Sequence, residues 1–165
     1  MEKGSSPATI LGAISDDLRW LRQAGVRHVV LFGPGPTWNV SLQADLFRYM
    51  NLHHMKSIPA RLDANVPPAV PRLDAAMAAE AAAWGASYVS VLQRFCDARG
   101  CRTLAEPALG KGGRPNLLYR DRDHLTVPGA QLLIESAAHE IFPGTETKAS
   151  YCCEYSDQHS PIGPG

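Results

Sequence analysis

The sequence predicts an α/β fold of three layers, with helices on both faces of a parallel sheet. Three observations carry this. Short apolar runs alternate along the chain with amphipathic segments of helical spacing, the order that produces parallel strands joined by helical crossovers. The clearest run, Val26 to Phe32 (VRHVVLF), is largely apolar rather than alternating, as a strand covered on both faces should be. Finally, a charged loop sits between a late strand and the last helix, where α/β folds place their chemistry.

Size and charge narrow the function. At 165 residues the chain is long enough for one domain. Its 45% hydrophobic and 19% charged residues fit a globular core. Sixteen basic and sixteen acidic residues cancel, so no basic face points to nucleic acid. No apolar run approaches the roughly 20 residues that span a bilayer. The start, MEKGSSPATI, lacks the apolar core of a secretory signal. The expectation is a soluble chain with no export device of its own.

In order, residues 8–24 place Ile10, Leu11, Ile14, Leu18 and Leu21 at helical spacing, and Gly25 ends that helix. His28, near the start of the first strand, reads as a tolerated polar residue rather than a ligand. Gly33-Pro34-Gly35-Pro36 stops the strand, because proline lacks the ladder donor and glycine frees the backbone. This rigid loop makes Gly35 a candidate wall of a binding site. Trp38 beyond it is either a loop anchor or a platform for a sugar or acyl group. Ser41 caps a helix with Leu42, Leu46, Phe47 and Met50 on one face.

Residues 57–71 hold four of the thirteen prolines and read as an irregular crossing. Leu73, Met77, Ala81 and Trp84 define an alanine-rich helix closed by Gly85, and Tyr88 to Leu92 reads as a second strand. Arg102 to Leu104 is a short extended piece, and residues 105–115 read as loop. Ala130, Leu133, Ile134, Ala137, Ala138 and Ile141 make one last helix. The domain is expected over residues 8–142, and 143–165, poor in apolar residues, as a disordered tail.

Of the four cysteines, Cys96 and Cys101 flank a short stretch. They either close a small disulfide loop in an oxidising compartment or stay as two thiols. Cys152-Cys153 with His159 lack the usual ligand spacing, so no metal is assigned. No cofactor is assigned either: Gly110-Lys111-Gly112-Gly113 lacks the spacing of a phosphate-binding loop.

The chemistry gathers in Leu117 to Ala130, LLYRDRDHLTVPGA. Asp121 and His124 are three apart in a loop, which lets a carboxylate hold one imidazole nitrogen and leave the other free. That is the acid and base of a hydrolytic triad without its nucleophile. Thr126-Val127-Pro128 opens the following helix; Asp123 is an alternative cap, and Arg122 an alternative partner for either acid.

The segment YRDRDHLTVPGAQLL resembles the C-terminal DxxH block of SGNH (GDSL-type) hydrolases. It is most similar to the branch fused to membrane acyltransferases that O-acylate bacterial surface polysaccharides. Tyr119, Asp121, His124, Leu125, Thr126, Gly129 and Ala130 carry the match, and VVLFGPGP resembles that branch's GPxP-like segment. The resemblance implies an SGNH/flavodoxin-like sheet, Asp121 as catalytic acid and His124 as base. It also implies a serine from a Gly-Asp-Ser block, which this sequence does not contain. The expectation is therefore the C-terminal part of such a domain, truncated on its N-terminal side. Further implications are an upstream membrane acyltransferase region, a periplasmic location suited to a Cys96–Cys101 disulfide, and a glycan or acyl-ester substrate. The alternatives are a non-catalytic domain binding glycan or protein through the Trp38 loop, and a pseudo-enzyme.

Overall fold

The computed structural model describes residues 6–109 and 115–144. The chain begins its described elements with α1 (Pro7–Gln23), where Ser6 Oγ accepts from the Thr9 N–H and Pro7 takes the first helical position. β1 (Val30–Phe32) follows, then α2 (Leu42–Leu52), capped by Ser41 as expected: its hydroxyl accepts from the Ala44 N–H at 3.1 Å. Next come β2 (Arg61–Leu62), α3 (Ala69–Ala83) and β3 (Ser87–Val89). β1 and β3 pair in parallel, Leu31 beside Tyr88. Parallel strands joined through helix α3 are the α/β arrangement that the alternation of segments predicts.

Several boundaries differ from the sequence expectation. The second strand stops at Val89, because Ser90 caps a short helix, α4 (Val91–Phe95), by accepting from the Gln93 N–H at 3.1 Å. Its apolar residues are short enough to suit either state, and the cap decides. β4 (Cys96–Asp97), β5 (Gly100–Arg102) and β2 form a small antiparallel sheet in the order β2-β5-β4. The proline-rich crossing thus contains a strand and the start of α3.

The expected loop at 105–115 is instead occupied at both ends by an antiparallel pair, β6 (Leu104–Leu109) and β7 (Pro115–Leu117), with Leu104 opposite Leu117. The last helix is broken at Ala137 into α5 (Val127–Ser136) and α6 (Ala138–Ile141). Residues 145–165, most of the expected tail, with Cys152, Cys153 and His159, lie outside the described residues, as do Gly110 to Gly113.

Cys96 and Cys101 face each other across β4 and β5 and are disulfide-bonded, their Cα atoms 4.0 Å apart. Arg61 reinforces the same hairpin, donating to the Phe95 and Gly100 carbonyls and pairing with Asp97. The core runs from Trp38 and Leu42 through Val89 and Phe95 to Leu118 and Tyr119, all nearly or fully buried. It lies beneath the loop that holds Asp121 and His124. Among the described residues, no helix is long and apolar enough to cross a membrane.

Candidate active site

Residues 119–125 leave the core and return to it. Tyr119 and Leu125 pair across the base of the excursion, and the Arg120 N–H donates to the His124 carbonyl at 2.8 Å. Asp121, Arg122 and Asp123 therefore occupy the tip. Below it, Thr126 caps α5 by accepting from the Gly129 N–H at 3.0 Å, and its hydroxyl donates to the Leu117 carbonyl at 2.6 Å. The cap falls to Thr126 and not to Asp123. Gly129 is fixed by close approach: a Cβ there would stand 2.2 Å from the Leu118 carbonyl oxygen.

The loop is gripped from the side by the segment leading into α2. The Trp38 N–H donates to the Arg122 carbonyl at 2.9 Å and the Leu42 N–H to the Asp121 carbonyl at 3.3 Å. Gln43 donates its amide to the Arg120 carbonyl at 2.7 Å and the Tyr119 carbonyl at 3.3 Å. Nothing in the sequence marks Gln43 for this role, since a surface glutamine in the first turn of a helix has no distinguishing pattern.

Asp121 and His124 meet as their spacing predicts. His124 Nδ1 lies 3.0 Å from Asp121 Oδ1 and 3.1 Å from Oδ2. The backbone N–H groups of His124 and Asp123 donate to the same Oδ1 at 2.9 and 3.1 Å. Those two backbone donors, the His124 one foremost, with help from the imidazole, hold the Asp121 carboxyl down at about 2. Asp121 is thus a fixed anion, and the Nδ1–H tautomer is the one that satisfies it. The imidazole is 68% exposed, so its Nε2 edge is open to a reactant. A base held by a carboxylate at one nitrogen and free at the other can take a proton from a hydroxyl and return it to a leaving group.

Asp123 also approaches Nδ1, at 3.0 Å. Ligand atoms of Asp121, Asp123 and His124 lie within 4.8 Å of one another and so have the spacing to hold a cation. A cation taking Nδ1 would displace the Asp121 bond that orients the base.

The Gly33–Pro36 loop reaches the site from behind. A Cβ on Gly35 would lie 3.3 Å from the Tyr119 hydroxyl and 3.3 Å from Val91 Cγ1, so Gly35 packs against the tyrosine two residues before Asp121. Trp38 is fully buried, edge-on to Tyr119 with ring centroids 6.0 Å apart. That corrects the platform expectation: the indole anchors the loop and has no face for a substrate. Trp38 Nε1 and Tyr119 OH are buried with no hydrogen-bond partner among the described residues, and burial pushes the Tyr119 phenol well above its usual value.

The family model described as the SGNH domain (fused to AT3 domains) matches residues 2–138. A comparison with curated proteins finds no significant match. Among solved structures, the fold is similar to the periplasmic domain of a lipopolysaccharide acetyltransferase from Salmonella ser. Paratyphi A, with a TM-score of 0.69 and 22% sequence identity. That match covers 86% of this chain and 52% of the other, so this chain spans about half the length of the structure it resembles.

Proposed function

Since the chain belongs to the SGNH domain family of the kind fused to AT3 domains, we propose that it carries the acid/base part of an acyl-transfer or ester-hydrolysis site for O-acyl groups of cell-surface glycans. The observation that carries the reading is the 3.0 Å contact between Asp121 Oδ1 and His124 Nδ1, with the opposite edge of the ring exposed. The resemblance to a lipopolysaccharide acetyltransferase periplasmic domain supports a glycan substrate and a periplasmic setting. The family description supports an associated membrane acyltransferase region as partner.

In this mechanism the nucleophile is a serine hydroxyl supplied by another segment, since the sequence holds no Gly-Asp-Ser. His124 Nε2 takes the hydroxyl proton as the oxygen attacks the acyl carbonyl carbon. The tetrahedral intermediate collapses, the ester C–O bond breaks, and the imidazolium returns its proton to the departing alkoxide. A glycan hydroxyl then attacks the acyl-serine for transfer, or water for hydrolysis, with His124 again taking the proton; the acyl–serine C–O bond breaks and the imidazolium returns that proton to the serine oxygen. Asp121 keeps the ring oriented and balances the imidazolium charge. Gly35, packed against Tyr119, is the proposed back wall of the site.

Removing the serine from a triad costs on the order of 10⁶ in turnover, so the 165-residue chain alone is expected to be inactive. The test joins it to the polypeptide encoded upstream and assays acetate release from a model ester. The reading expects activity that His124→Ala lowers by about 10⁴–10⁶-fold. Activity indifferent to His124→Ala, or an upstream region without a serine-bearing strand, would overturn it.

A further inference from the structure

A cleft of about 440 Å³ lies apart from the Asp121–His124 loop, lined by Asp74, Tyr88, Ser90, Gln93, Arg94 and Glu140. Its size falls within the roughly 300–1,000 Å³ of small-molecule sites. The room comes from Ala75 and Ala78, whose methyl groups leave space on that side of α3.

The lining is built from hydrogen-bonding groups. Asp74, only 4% exposed, accepts from the Tyr88 and Ser90 hydroxyls, both at 2.7 Å. Its carboxylate oxygens retain lone pairs beyond those two bonds. Arg94 pairs with Glu140 and donates to the Ser136 carbonyl, which fixes a guanidinium and a second carboxylate at the rim. The Gln93 amide adds two donors and an acceptor. Two carboxylates against one guanidinium disfavour an anion. The alternation of donors and acceptors, with alanine methyls as the main apolar surface, fits a neutral ligand whose groups both donate and accept.

We propose that this cleft is a subsite for a neutral sugar residue of a glycan. The Gly33–Pro36 loop links it to the acid/base pair. A Cβ on Gly33 would fall 2.0 Å from the Tyr88 hydroxyl and 2.5 Å from Asp74 Oδ1, while Gly35 abuts Tyr119. One loop therefore packs on the polar set of the cleft at its first glycine and on the acid/base block at its second. The inference deepens the glycan reading above, but binding needs neither the serine nor turnover, so the two fail separately.

The experiment titrates the ¹⁵N-labelled 165-residue chain with D-glucose, D-galactose, D-mannose and L-rhamnose, and with D-glucuronate as the anionic control. At least one neutral sugar is expected to shift the amides of Ser90, Gln93 and Arg94 with a Kd on the order of 1–10 mM. Gln93→Ala, at an exposed position whose backbone bond to Ser90 is kept, should weaken binding about fivefold or more. Ala75→Leu should abolish it by filling the cleft. His124→Ala should leave it unchanged, and glucuronate should bind more weakly than the preferred neutral sugar. Silence of those amides toward all four sugars, tighter binding of glucuronate, or binding unaltered by both Gln93→Ala and Ala75→Leu would overturn the subsite.

Discussion

The two sides of this small domain are built to different standards. Around the Asp121–His124 loop, Trp38, Leu118 and Tyr119 are at most 1% exposed, and the loop is tied down by Trp38, Leu42, Gln43 and Thr126. On the α1–β1 side the packing is thin. Leu18 is the one buried residue of the 17 in α1, and Val30, Leu31 and Phe32 are all only half-buried. Among the described residues β1 pairs with β3 alone. An apolar strand of this kind is expected to be covered on both faces. The contrast teaches that the Asp121–His124 pair is held by this chain's own packing, whereas the apolar strand β1 is left only half-buried.

In the joined protein, Asp121→Ala is expected to lower the acetate-release rate by on the order of 10⁴-fold, measured as kcat on a model ester; a change under tenfold would mean that the well-built side is not catalytic. Next is a matched pair of substitutions read by denaturant unfolding. Gly129→Ala forces a methyl to 2.2 Å from a backbone oxygen in the dense region, with an expected loss of roughly 1–3 kcal/mol or more. Gly12→Ala, in α1 with nothing within 4 Å of the new methyl, should gain about 0.5–1 kcal/mol from helix propensity. Equal signs would erase the contrast.

Tyr119→Phe removes a buried hydroxyl that has no partner among the described residues. It is expected to be neutral or to stabilise the isolated chain by about 1 kcal/mol, again by denaturant midpoint. A clear loss would show that the hydroxyl has a partner. The smallest effect is in acid. The folded Asp121 carboxyl, held at about 2, lies below its unfolded value of about 4. Its stabilising charge is therefore complete above about pH 4 and is lost as pH falls through about 2. A carboxylate ¹³C titration of Asp121 should show its midpoint near 2; a midpoint near 4 would mean that the backbone donors do not hold it.

What was legible in the sequence follows the same divide. Asp121, His124 and the Ser41 cap are local patterns, set by residues three apart and by one hydroxyl at a helix start, so they read directly, whereas the cap of α5 stayed open between Thr126 and Asp123 until the fold placed them. The α/β class also followed from the order of apolar runs, as did a strand within Val26–Phe32, of which only Val30–Phe32 pairs. The hairpin of β6 and β7 did not, because its Gly- and Pro-rich composition reads as loop although a glycine-containing link between two short runs is also a hairpin signal. α4 was hidden because Val91 and Leu92 suit a strand as well as a helix until Ser90 caps them. Trp38 reads in the sequence as either a loop anchor or a platform, and its tertiary burial decides for the anchor. Asp74 carries no sequence mark, since a single carboxylate in an alanine-rich helix looks solvated until Tyr88 and Ser90 fold against it.

The most direct measurement is ¹⁵N NMR of the His124 ring in the isolated chain, which reports which nitrogen carries the proton in the neutral imidazole. The expected result is the Nδ1–H tautomer with Nε2 unprotonated, and a loss of that preference in Asp121→Ala. A neutral ring protonated at Nε2, or one insensitive to Asp121→Ala, would contradict the claim that Asp121 orients His124 as a base.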